Sequence, residues 1–153
     1  MVSIFISYRR EDSSGYAGRL HDRFVQRWGR ERVFMDIDNI EPGEDFLEVI
    51  ERTLAQCAVM VVVIGPRWLT ATDAAGRRRV DNASDYHRME IEVGLRRGIR
   101  VIPVLVGGAP LKGTVRRVAP TVAPQTRNGI VYVDLPAQSG GGSARAGMFA
   151  RGE

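Results

Sequence analysis

Three groups of side chains have the types and spacing to act on a charged, phosphate-bearing substrate. Arg9 and Arg10 follow a short apolar run, and two guanidinium groups at the end of a strand can fork onto phosphate or carboxylate oxygens. A second polar segment, Asp36 to Glu44, is rich in carboxylates and carries Pro42-Gly43. Tyr86 and Glu90 stand four residues apart, which puts a ring and a carboxylate on one face of a helix. The ring can stack on a flat cation such as nicotinamide. The carboxylate can stabilise the positive charge that builds on a ribose when its N-glycosidic bond breaks, while orienting the attacking hydroxyl. No acid is needed, because nicotinamide leaves as a neutral molecule. The combination suits a dinucleotide with a cationic leaving group.

Each residue also has a plainer reading. Glu90 could be a solvated helix residue, Arg9 and Arg10 could pair with Asp36 or Asp38 to hold two loops together, Tyr86 could be half-buried packing, and Trp68 could cover the end of the sheet. Cys57 reads as core filling. His21 and His87 sit in charged helical stretches without partner spacing and read as surface residues.

The elements that must position these groups alternate between strand and helix. Val2 to Ser7 is apolar and β-branched, and Tyr16 to Trp28 sets Ala17, Leu20, Phe24 and Trp28 at helical spacing. Arg32 to Met35 makes a brief strand, Asp36 to Glu44 a loop, and Asp45 to Gln56 a helix with Phe46, Ile50 and Leu54 on one face. Ala58 to Ile64 is an uninterrupted apolar run of the kind buried on both sides in a parallel sheet, stopped by Gly65-Pro66. The polar stretch Arg67 to Ser84 is long enough to serve as a lid or binding loop. Asp85 caps a helix to about Arg97, ended by Gly98, and Ile99 to Val106 is another buried strand. Gly129 to Val133 suggests one more. Residues 137–153, rich in Gly, Ala, Ser and Arg, are expected to form a disordered tail.

This alternation implies an α/β fold, an open parallel sheet with helices on both faces. Ligands bind such sheets outside the carboxyl ends of the strands, here Ser7 to Ser14, Asp36 to Glu44, Gly65 to Ser84 and the helix starting at Asp85. The usual cradles of other enzymes on this architecture are missing. There is no G-x-x-x-x-G-K-[ST] loop, no G-x-G-x-x-G turn after the first strand and no G-x-S-x-G elbow. The acidic pair and strand-end aspartate of a phosphoacceptor domain are replaced by Tyr8-Arg9-Arg10 and Gly65-Pro66.

At 153 residues and 44% hydrophobic, the chain suits one domain. Its single cysteine gives neither a disulfide framework nor a multi-cysteine metal site. The first residues lack the order of a signal peptide, and the apolar runs are too short to span a bilayer. A soluble, cytoplasmic protein without membrane or nucleic-acid partners is expected. The net charge of +4 is unevenly spread. Residues 31–56 are acidic and the chain from Gly94 onward is basic, which could draw copies together head to tail.

The sequence resembles the Toll/interleukin receptor (TIR) domain family. Ile4-Phe5-Ile6-Ser7-Tyr8-Arg9-Arg10 resembles its first box, Phe34-Met35-Asp36 through Ile40-Glu41-Pro42-Gly43 the following strand and loop, and Asp85-Tyr86-His87-Arg88-Met89-Glu90-Ile91 the helix of its NAD-cleaving members. The resemblance implies a flavodoxin-like, five-stranded sheet over residues 1–136. It implies Glu90 as catalytic residue, and substrate contacts from Arg9, Arg10, Glu41 and Tyr86 with Tyr8, Asp36 and Trp68 around them. Asp38, Pro42 and Gly43 fall in a loop expected to move or to join copies. The implied reaction gives nicotinamide with ADP-ribose or a cyclic form, with NAD as substrate rather than cofactor, in a self-associated state. The alternative is a non-catalytic module for TIR-to-TIR contact. Two departures stand out: the family's third box has no match, and the Gly-rich tail takes the place of a final helix.

Overall fold

The sheet is built by parallel strands whose side chains are buried on alternate faces. In a computed structural model, residues 3–35 and 45–109 are described together with the backbone of 130–135 and 145–149. The order is β1 (Ile4–Tyr8), α1 (Arg10–Trp28), β2 (Val33–Met35), α2 (Phe46–Leu54), β3 (Val59–Ile64), α3 (Tyr86–Arg96), β4 (Arg100–Val106), β5 (Ile130–Leu135) and β6 (Arg145–Phe149). The strands lie side by side as β2-β1-β3-β4-β5-β6. All neighbours from β2 to β5 are parallel, and β6 runs antiparallel to β5.

This is the expected open parallel α/β sheet with a sixth strand added. β6 lies within the stretch that composition assigns to an unordered tail. An edge strand is held by backbone hydrogen bonds, and these need no apolar signal in the sequence. The rest of the expected tail lies outside the described residues.

β3 shows why a continuous apolar run was required. Met60, Val62 and Ile64 point to one face, where they meet Ile50 and Leu54 of α2 and Ile91 and Leu95 of α3. Val61 and Val63 point to the other, with Ile4, Ile6, Val104 and Val106, where Ala17, Leu20 and Phe24 of α1 cover them. α3 approaches the sheet closely at Gly94, where an added Cβ would stand 2.8 Å from the Met60 methyl.

Local chemistry sets the helix starts. Asp45 caps α2 by accepting from the Leu47 and Glu48 backbone N–H groups, at 2.8 and 3.4 Å. Asp85 caps α3 by accepting from the Arg88 N–H at 3.1 Å. α1 begins at Arg10, earlier than its apolar spacing predicts, and leaves helical geometry at Ser13 (φ −145°, ψ 22°). The first turn carries no apolar stripe. It is fixed instead by Asp12, whose carboxylate accepts from the Gly65 and Arg67 N–H groups at 2.8 Å each. The loop expected at Ser7 to Ser14 is therefore reduced to Arg9.

The segment expected as a lid, Arg67 to Ser84, is internally bonded. Thr72 and Arg78 form an antiparallel bridge, and Asp73 closes the turn between them by accepting from the Ala75 and Arg77 N–H groups. The Arg77 backbone N–H, helped by its guanidinium, holds the Asp73 carboxyl below its ordinary value. Polar side chains carry this turn, so apolar periodicity missed it. Among the described residues no helix is long and apolar enough to cross a membrane.

Candidate active site

The carboxyl end of β1 and the start of α3 meet at the edge of the sheet. Ser7, 1% exposed, donates its Oγ–H to Glu90 Oε2 at 2.6 Å. Glu90 is itself 6% exposed, and among the described residues nothing donates to its other oxygen. A carboxylate placed this way is largely out of water yet keeps one oxygen available. It can therefore oppose a developing positive charge more strongly than a solvated one could.

Two residues beyond Ser7, Arg9 is wholly buried and forks onto Asp85, with each terminal nitrogen 2.8 Å from one carboxylate oxygen. Its guanidinium lies over the Trp68 ring, 5.1 Å from the centroid. This revises two sequence expectations. The guanidinium of Arg9 is turned inward to the N-cap of α3 and not presented to phosphate, and its carboxylate partner among the described residues is Asp85. Trp68, 2% exposed, belongs to the core beneath the site. Tyr8 packs into the opposite, α1-side core. Arg10 is exposed at the first turn of α1, beside Arg19 and Arg67.

Tyr86 is 55% exposed and stacks on Phe46, with ring centroids 3.8 Å apart and planes at 28°. The starts of α2 and α3 thus share an aromatic pair one turn ahead of Glu90. Phe46 was read from the sequence only as a core-facing residue of α2, and no sequence spacing links it to Tyr86. His87, expected on the surface, is mostly enclosed. Its Nδ1 lies 3.6 Å from Glu90 Oε2, has no hydrogen-bond partner among the described residues, and brings charge only if protonated. Its three-residue spacing from Glu90 was the available signal. Ser7 had one too, since it lies near the carboxyl end of β1, at the edge where ligands bind. Asp36, Asp38, Glu41, Pro42 and Gly43 lie outside the described residues. Among those described, no His, Cys, Asp and Glu cluster could hold a metal.

The fold and this edge site define an α/β domain of the flavodoxin-like class. The sequence profile of the TIR domain matches residues 4–146, and the chain belongs to the TIR domain family. A solved structure with the same fold is the TIR domains of the activated Roq1 resistosome directly recognising the pathogen effector XopQ. It has a TM-score of 0.52 and 19% identity, covering 81% of this chain and 70% of that one. No curated protein matches the chain by sequence.

Proposed function

We propose that this TIR domain cleaves NAD+ at the bond between nicotinamide and ribose. The observation that carries the reading is Glu90, enclosed at the sheet edge and held through one oxygen by Ser7 at 2.6 Å, with the exposed Tyr86 ring one turn before it. Nicotinamide stacks on the outer side of Tyr86 while Phe46 backs the inner side. The C1′–N bond breaks, its electron pair leaves with nicotinamide, and the ribose cation forms beside Glu90. Water, or a hydroxyl of the same substrate, then attacks C1′ and gives up its proton, yielding ADP-ribose or a cyclic form. Glu41 and Asp36 belong to the same proposal as further substrate contacts, and NAD+ is substrate rather than cofactor.

The test is nicotinamide release by concentrated protein, with a crowding agent added to encourage self-association. Glu90→Ala is expected to lower the rate by about a hundredfold or more, the scale of losing a preorganised electrostatic group. A silent wild type that still self-associates would leave the second reading, a module for contact between TIR domains. That reading draws support from Leu47 and Tyr86, two exposed apolar side chains near the starts of α2 and α3, and from the likeness to TIR domains of a resistosome. In either case we take the partner to be another TIR domain and the setting to be cytoplasmic.

A further inference from the structure

The first turns of α1 border a cleft of about 340 Å³ whose lining includes Arg10, Arg19 and Arg67 together with Ser13, Ser14 and Gly15. Two carboxylates also line it, and each has hydrogen-bond partners in the protein. Asp12 accepts from the Gly65 and Arg67 N–H groups, and Glu11 pairs with Arg79 at 2.5 Å. The guanidinium of Arg19 rests 4.7 Å over the Tyr16 ring, that of Arg67 donates to the Glu11 backbone carbonyl, and among the described residues no carboxylate pairs with either. Arg19 and Arg67, set against the one carboxylate there without a cationic partner, Asp12, leave the cleft net positive.

Ser13 supplies an independent observation. It is 3% exposed, and its Oγ is buried without a hydrogen-bond partner among the described residues. An unpaired buried hydroxyl costs free energy that a ligand acceptor can recover. Ser13 is also where α1 kinks, so a fresh helical run, positive at its start, begins in the cleft. Gly15 leaves that backbone open, because a Cβ there would meet only an Arg19 nitrogen at 3.7 Å. An acceptor for the hydroxyl that also carries negative charge for the arginines is an oxyanion. The geometry points to a binding site here for a phosphate-bearing small molecule, one that does not include Glu90 and does not depend on NAD cleavage.

Backbone amide NMR of the full chain, titrated with inorganic phosphate and then pyrophosphate at constant ionic strength, tests this. Saturable shifts are expected at residues 13–16 and 67. Arg19→Gln, at an exposed position, is expected to weaken binding about tenfold, the scale of a charge-assisted hydrogen bond. Ser13→Ala is expected to weaken it less, with the spectrum otherwise preserved. Glu90→Gln is expected to bind as wild type does. Shifts that never saturate, affinity unchanged in both cleft variants, or loss of binding in Glu90→Gln would overturn the proposal.

Discussion

Arg9 and Asp85 are joined by two contacts of 2.8 Å in surroundings closed to water, and Asp85 also accepts from the Arg88 N–H that opens α3. One carboxylate therefore ties the helix bearing Glu90 to the strand bearing Ser7. Removing either partner strands a buried charge, so Arg9→Ala or Asp85→Ala should each lower unfolding stability by about 3–5 kcal/mol. Asp85→Ala also loses a cap worth about 1 kcal/mol. Urea unfolding measures both, and the double variant should lose less than the sum of the two.

Ser7→Ala removes the one side-chain hydrogen bond to Glu90 Oε2 among the described residues. A carboxylate kept from water without that donor should cost about 1–3 kcal/mol of stability. On the proposed reaction, the rate of nicotinamide release should fall about tenfold or more, because the carboxylate loses its fixed orientation. Thermal unfolding and single-turnover kinetics read the two effects separately.

Tyr86→Ala should change stability little, by about 1 kcal/mol at most, because the ring is 55% exposed and its main partner is Phe46. On the proposed reaction its effect belongs in substrate affinity, with KM rising several-fold. Tyr86→Trp keeps a stacking surface and should restore KM. Steady-state kinetics on the three proteins decide it.

Gly65→Ala should destabilise although it adds only a methyl group. A Cβ there would stand 2.6 Å from both Asp12 oxygens, which are themselves bonded to the Gly65 and Arg67 N–H groups. Displacing the carboxylate forfeits both bonds, a loss of about 2–3 kcal/mol. Chemical unfolding measures it.

Burial pushes the Cys57 thiol from 9.0 up to about 11. Its neutral form is favoured in the folded chain, so the stabilisation is complete below about pH 9 and is lost as pH rises from 9 toward 11. At pH 8 a thiol reagent should react roughly a hundredfold more slowly with folded than with unfolded protein, following the thiolate fraction. Parallel labelling with and without urea tests this.

Much of the fold was legible because burial imposes period. The two-sided run of β3 and the four-residue spacing of Ile91 and Leu95 left little freedom about where strand and helix belong. The site was legible in part. The placing of Tyr86 and Glu90 on one helix was readable from their spacing, whereas Ser7 and Asp85 act on partners 83 and 76 residues away. Such pairings arise only when the parallel register brings the end of β1 against α3. Arg9 was misjudged for the same reason: an arginine at a strand end can turn outward to a ligand or inward to a cap, and the choice depends on what packs above it.

The close pass of α3 over the sheet carries a lesson for anyone grafting this arrangement onto another scaffold. Gly94 lies one helical turn after Glu90 on the same stripe and lets the helix settle until only 2.8 Å would separate a methyl group there from Met60. Transplanting Ser7, Asp85 and Glu90 alone onto a strand and helix at ordinary spacing would leave the carboxylate short of the hydroxyl. The transferable unit is those three residues together with the glycine that sets the depth of the helix.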